Sequence, residues 1–233
     1  MTTPIQQKIR DKKRTPEQIA AMVKSGDWIN HGTMGGDSTV LAEAVAKRLG
    51  PGPSQLKDIE FWLHGNAYPH PEFQEIDPLE QYHCIHNYFF MPWNRKARDK
   101  HNVTDWAQWG WAYGIWGYHY RFTHAVREKR GMDWWFNAAT APDHHGFFNM
   151  SYGTSNCNVY RQTAKKIVFE VRSDYPWAEG GRFNTIHIDD VDYWVEVDCA
   201  KYAWPQVDER NIKPKPEEEA IARHIMTIMR DRD

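Results

Sequence analysis

Apolar positions along this chain recur in two periods, and the switches between those periods mark out its elements. Ile19, Met22 and Val23 recur at helical spacing behind Thr15-Pro16-Glu17. Thr is a good N-cap and Pro suits the first helical position, so a helix is predicted there, ended by Ser25-Gly26. DWINHG (27–32) reads as a short strand and GTMGGDS (32–38) as a glycine-rich loop. Val40, Leu41, Ala44 and Val45 return to helical spacing over 39–49, and Gly50-Pro51 closes that helix. IEFWLHG (59–65) and YHCIHNYFF (82–90) read as strands. A long aromatic helical region is predicted from about 102 to 130, before the strand DWWFNAAT (133–140). A helix over roughly 154–166 leads into the strand IVFEVR (167–172), and YWVEVD (193–198) is the last strand. NIKPKP (211–216) is a proline-marked linker. The helix predicted over 216–232 carries Glu217, Glu218 and Glu219 in its first turn, where the helix dipole favours acids.

Strands alternating with helices predict an α/β fold, an open and mainly parallel sheet flanked by helices, in a single domain over residues 1–233. Such sheets bind ligands at the carboxyl ends of their strands. Three loops qualify: the glycine-rich loop, the loop after 59–65, and APDHHG (141–146).

Composition narrows the partners. With 29 basic and 31 acidic residues the formal net charge is −2, so electrostatics make no case for nucleic acid or an anionic membrane. The basic run Lys8, Arg10, Lys12, Lys13, Arg14 reads as a solvated N-terminal arm. No apolar run approaches the roughly 18 residues of a membrane span, and the N-terminus shows no signal-peptide core. Cys84, Cys157 and Cys199 form no Cys-x-x-Cys pair, which suits a reducing compartment and predicts a cytoplasmic location.

The candidate chemistry is concentrated in a few stretches. In the glycine-rich loop, backbone amides of Met34, Gly35 and Gly36 could face a phosphate, a carboxylate or a developing oxyanion, helped by the helix start beyond; a tight strand-to-helix turn accounts for the same residues. Neither a Walker loop nor a dinucleotide fingerprint is present. His83 and His86 lie on opposite faces if 82–90 is a strand, so a metal site from that pair is disfavoured and none is predicted. Glu170 and Glu196 read as the polar face of alternating strands, and Glu179 as a turn residue. In APDHHGFFNMSYG (141–153), Asp143, His144 and His145 could ligate a metal, act as an acid/base pair, or form a polar turn with Asp143 as its capping acceptor. Tryptophans crowd 93–135. Trp106, Trp109, Tyr113 and Trp116 form one helical stripe, fit for core packing or as an apolar wall for a bulky acyl group.

Four stretches together resemble the first half of the acetyl-CoA hydrolase/CoA-transferase family, which includes 4-hydroxybutyrate and butyrate–acetate CoA-transferases. They are SGDWINHGTMGGDSTVLAEAVAKR (25–48), APDHHGFFNMSYG, AKKIVFEVRSDYP (164–176) and IHIDDVDYWVEVD (186–198); the final helix PEEEAIARHIMTIMRD is also similar. Ser38 stands where the family usually has Pro, and Arg172 where it has Asn. The resemblance implies the CoA-transferase (NagB/RpiA-like) fold and coenzyme A as a substrate, with no bound cofactor. It also implies a catalytic glutamate in the family's second half, in a Glu-x-Gly context, and so none on this chain; WAEGG (177–181) imitates that context in the wrong half. The expected protein is thus the α subunit of a split enzyme, an α2β2 assembly whose β subunit supplies the glutamate and which acts on an acyl-CoA and a carboxylate. Met34, Gly35 and Gly36 would face the reacting carbonyl, and Asp143, His144, His145, Gly146 and Phe147 would wall the site. A hydrolase subunit or a non-catalytic α/β binding module are the alternatives.

Overall fold

The computed structural model describes residues 3–33, 35–65, 71–87, 89, 91–101, 105–106, 132–181, 183–202 and 213–230. Seven strands form its main sheet: β1 (Trp28–Thr33), β2 (Ile59–His64), β3 (His83–Asn87), β4 (Asp105–Trp106), β5 (Trp134–Ala139), β7 (Lys166–Val171) and β9 (Tyr193–Glu196). Their order is β4-β3-β2-β1-β5-β7-β9, and all six pairings are parallel. The remaining two strands, β6 (Phe147–Asn149) and β8 (Thr185–His187), pair antiparallel as a separate ribbon. The predicted α/β sheet is therefore present and, among the described strands, wholly parallel.

β1 and β5 are buried along their whole length, as expected of parallel strands covered on both faces. Successive residues enter opposite cores, because side chains alternate across a strand. Ile29, Phe136 and Val168 pack with Ile19 of α2 (Pro16–Met22) and with Leu41 and Val45 of α3 (Val40–Ala46). Trp28, Trp135 and Phe169 join Phe148, Ile186, Ile188 and Tyr160 of α6 (Cys157–Thr163) on the other face. α2 starts as predicted: the Gln18 amide donates to Thr15 Oγ1 at 3.2 Å, and the Thr15 amide to Gln18 Oε1 at 2.9 Å.

The N-terminal arm is not simply solvated. It forms a helix, α1 (Pro4–Lys12), with the same reciprocal cap between Thr3 and Gln6. Lys12 Nζ donates to the carbonyls of Ile188 and Val191 at 2.8 and 2.7 Å, and Trp194 Nε1 donates to the Ile9 carbonyl at 2.8 Å. Ile9 meanwhile packs on the second core. One lysine of the run thus serves as a hydrogen-bond donor to backbone, and the apolar residue between the charges supplies contact area.

Two short helices, α4 (Pro71–Ile76) and α5 (Pro92–His101), appear where the apolar pattern gave no helix. The predicted aromatic helix fails at its start: Asp105 and Trp106 form β4, with Trp106 paired to Asn87. Trp109, Tyr113 and Trp116 lie outside the described residues. α7 (Pro216–Ile228) closes the described chain. Among the described residues, no helix is long and apolar enough to cross a membrane.

At the amino end of the sheet, His83 and Asp77 form a buried pair. His83 Nδ1 lies 2.8 Å from Asp77 Oδ2, whose carboxylate also receives the amides of Gln81 and Tyr82 at 2.9 and 2.7 Å. His86 emerges on the other face against Trp62, so the two histidines do part as their spacing requires. Burial holds His83 below its ordinary pKa, outweighing the nearby Asp77 that would raise it. The fold therefore keeps the neutral imidazole, while the unfolded chain takes up a proton below about pH 6.5. That stabilisation is fully present above pH 6.5 and is lost as the pH falls towards the lower folded value. Urea unfolding at pH 7.5 and 5.5 is expected to show this loss in the wild type, and a smaller one in His83→Gln. Equal slopes in the two proteins would remove His83 as the cause.

Candidate active site

β1 and β5 are neighbours in the sheet but far apart in the chain. From β1 the order runs outward through β2, β3 and β4; from β5 it runs the opposite way through β7 and β9. The strand order therefore reverses between them, which is where open α/β sheets form their ligand crevice. The two loops that leave these strands are the glycine-rich loop and the start of APDHHGFFNMSYG.

The glycine-rich loop folds tightly back on its own strand. The Gly36 amide donates to the Thr33 carbonyl at 3.1 Å, and the Ala138 amide of β5 donates to the Gly36 carbonyl at 2.9 Å. Gly35 sits at φ +95°, a left-handed conformation that favours glycine. A Cβ on Gly32 would stand 1.9 Å from the Gly36 carbonyl oxygen, and one on Gly36 would stand 2.5 Å from Asn137 Oδ1. Tyr175 fixes the loop from outside, donating from its hydroxyl to the Gly35 carbonyl at 2.6 Å. Burial pushes the Tyr175 phenol up, against the lowering pull of Arg172, so it remains a donor at neutral pH. The Arg172 guanidinium lies 5.1 Å from the Tyr175 ring centroid. It is itself held by Asp174 through two bonds of 2.9 and 2.8 Å.

The loop amides are not equally free to meet a ligand. Gly36 spends its N–H on the turn to Thr33. Met34 lies outside the described residues. The positive end of α3 is not turned towards a ligand either, contrary to expectation. Glu170 of β7, read from the sequence as a strand's polar face, is fully buried. Its carboxylate receives the Thr39 amide at 2.8 Å, the Leu41 amide at 2.7 Å, Ser38 Oγ at 2.6 Å and Thr39 Oγ1 at 3.0 Å. An internal acid thus caps the helix that follows the loop. Glu196, by contrast, is exposed and pairs with Lys13, and Glu179 lies exposed in the 172–184 loop.

APDHHGFFNMSYG divides at β6. Before β6, Asp143 Oδ1 accepts from the amides of His145 and Phe147 at 2.9 and 2.8 Å, and the Gly146 amide donates to the Asp143 carbonyl at 3.0 Å. Asp143 is therefore the capping acceptor of a turn. His144 and His145 stack at 3.8 Å on the exposed side, and Phe147 packs on His187 at 4.9 Å. Gly146, at φ +90°, faces Ile5 and Ile188. After β6 the chain reaches the glycine-rich loop. Tyr152 packs on Gly35 and on Tyr175, and a Cβ on Gly153 would stand 2.3 Å from Gly36 Cα. The end of the stretch that meets the loop is therefore Ser151-Tyr152-Gly153, which lacks the histidines.

Two further residues at this crevice escaped the sequence reading. Asn137 and Ser151 are buried, and among the described residues neither Asn137 Oδ1 nor Ser151 Oγ has a hydrogen-bond partner. Ser151 also adopts φ +49°, unusual for a residue with a side chain. The signal for Asn137 was present in DWWFNAAT, where one amide interrupts an apolar strand.

A family model described as the acetyl-CoA hydrolase/transferase N-terminal domain matches residues 5–202. The chain belongs to this family. A probable butyrate:acetyl-CoA coenzyme A-transferase from Syntrophomonas wolfei is 26% identical over 222 residues, 95% of this chain and 46% of that protein. A succinyl-CoA:cyclohexane-1-carboxylate CoA transferase from Geobacter metallireducens is 25% identical over 95% of this chain and 46% of its own length. The chain spans about half the length of these curated relatives. Among solved structures, RipA from Yersinia pestis superposes with a TM-score of 0.76 at 19% identity, over 98% of this chain and 51% of its own. A variant of the decarboxylase AibA/AibB superposes with a TM-score of 0.53 at 14% identity, over 92% of this chain and 93% of that one. At these identities the structures establish the fold, and CoA-transferase is the activity named for the curated relatives.

Proposed function

We propose that the chain is the α subunit of an acyl-CoA:carboxylate CoA-transferase. The observation that carries this reading is the placement of the glycine-rich loop and the Ser151-Tyr152-Gly153 turn together at the β1/β5 switch point, in a chain of this family. A β subunit supplies the glutamate. Its carboxylate attacks the acyl-CoA carbonyl and expels CoA thiolate, leaving an acyl–glutamyl anhydride. The thiolate then attacks the glutamyl carbonyl, releasing the first acid as carboxylate and leaving a glutamyl-CoA thioester. A second carboxylate runs the two steps in reverse and leaves as its CoA ester. Each addition places negative charge on a carbonyl oxygen. The Gly35 end of the loop, held by Tyr175, faces that charge. Asp143, His144, His145, Gly146 and Phe147 form the outer wall of the site. The α2β2 arrangement and a cytoplasmic location complete the reading.

The split reading is supported by the near-complete mutual coverage with a chain of AibA/AibB, named as two components. The tryptophan-rich 106–122 segment supports a bulky acyl group, with Trp106, Trp109, Tyr113 and Trp116 as its wall. A relative named for cyclohexane-1-carboxylate points the same way.

The test uses the chain purified with its partner and supplied with cyclohexane-1-carbonyl-CoA and acetate. Mass spectrometry is expected to find the CoA adduct on the partner and none on this chain. The alicyclic donor is expected to exceed acetyl-, propionyl- and succinyl-CoA in kcat/KM. Turnover by the isolated chain would overturn the split arrangement; better turnover of all three small donors would overturn the bulky acyl group. CoA release without acetyl-CoA formation would make the complex a hydrolase.

A further inference from the structure

α7 buries none of its residues, yet it is amphipathic. Ile221, Ile225 and Ile228 recur at intervals of four and three, which sets them along one face, and Met229 follows as the helix's C-cap. They are 60%, 48%, 75% and 52% exposed. Glu219, Arg223 and Thr227 occupy the opposite side of the helix. Three large apolar side chains on a helix of 13 residues, about 20 Å long, with Met229 at its end, make a contiguous stripe rather than scattered exposure.

We propose that this stripe is the docking face for the polypeptide carrying the family's second half. The inference rests on the proposed split enzyme and names the surface that joins its subunits. The occupant follows from length. This chain is covered almost completely by the superposition on RipA, yet accounts for only 51% of RipA's chain. The curated relatives likewise have more than half their length beyond what it matches. α7 follows the region matched by the family model, residues 5–202, and so lies towards that remaining half. A helix laying an apolar face into a partner's groove reads as anchors at such intervals.

A photoreactive phenylalanine analogue placed at Ile225 of the full chain, in its source organism, tests this. Arg223, on the opposite side of α7, serves as the control position. Irradiation and peptide mass spectrometry are expected to join Ile225, and not Arg223, to a polypeptide whose sequence matches the relatives' second halves. Ile221→Asp/Ile225→Asp is expected to abolish co-purification of that polypeptide while leaving the Tm of the isolated chain unchanged. Crosslinks to a second copy of this chain, to an unrelated protein or to nothing overturn the inference, as does undiminished co-purification. The two readings fail separately. A complex that transfers CoA without the Ile225 crosslink sinks only the docking face. A crosslinked complex that moves no CoA sinks only the transferase.

Discussion

Glu170→Ala is expected to destabilise the chain by about 4 kcal/mol, because each buried donor left without its partner costs ~1–3 kcal/mol. The carboxylate serves two backbone amides, Thr39 and Leu41, and two hydroxyls, Ser38 and Thr39, all at buried positions. Alanine removes every acceptor at once and leaves a cavity among those donors. A loss of this size lowers the Tm of a chain of this length by roughly 10 °C. Glu170→Gln keeps the volume and one acceptor oxygen but turns an amide donor towards groups that also donate. Its cost is expected to fall between wild type and alanine. Urea unfolding measures all three. A Glu170→Ala chain within about 1 kcal/mol of wild type would show that the amides find other acceptors, and that the carboxylate is not what holds the start of α3.

Gly36→Ala is expected to lower kcat/KM of the proposed transferase complex by about 100-fold, the scale associated with a ~1 Å displacement at a reacting centre. The three atoms nearest to an added Cβ are Oδ1, Cγ and Nδ2 of Asn137, at 2.5, 3.1 and 3.2 Å. The clash is with one side chain, so it has a specific remedy. Gly36→Ala/Asn137→Ala is expected to regain part of the loss, a coupling that a double-mutant cycle reads directly. Gly32→Ala gives the contrast. Its added Cβ meets the backbone oxygen of Gly36 at 1.9 Å, which trimming Asn137 does not remove. Equal activity of the Gly36→Ala single and double variants would sink the assignment of the clash to Asn137.

Local patterns carried much of the fold. Short apolar runs located β1, β2, β3, β5, β7 and β9, since a strand between two cores shows its composition directly. Capping chemistry located α2, and the same signature at Thr3-Pro4-Ile5-Gln6 went unread because charge outweighed it. α4 and α5 were missed for a related reason: proline starts both, but their exposed faces dilute the apolar period. The candidate site was legible in outline. The glycines and APDHHGFFNMSYG marked the right strand ends, yet the histidines drew attention to the turn held by Asp143 and away from Tyr152 and Gly153.

By itself, then, the sequence determined the family, the α/β class, the principal strands and the two loops that flank the crevice. These are properties of short windows, where side-chain period and turn chemistry act over a few residues. Only the tertiary structure decided the strand order, and with it the switch point between β1 and β5. It alone decided that Glu170 caps a helix start 131 positions earlier in the chain, and that Asn137 stands against both Gly32 and Gly36. Such pairings arise when distant segments are brought into one core, where a buried acid or amide must find whatever donors the fold places beside it.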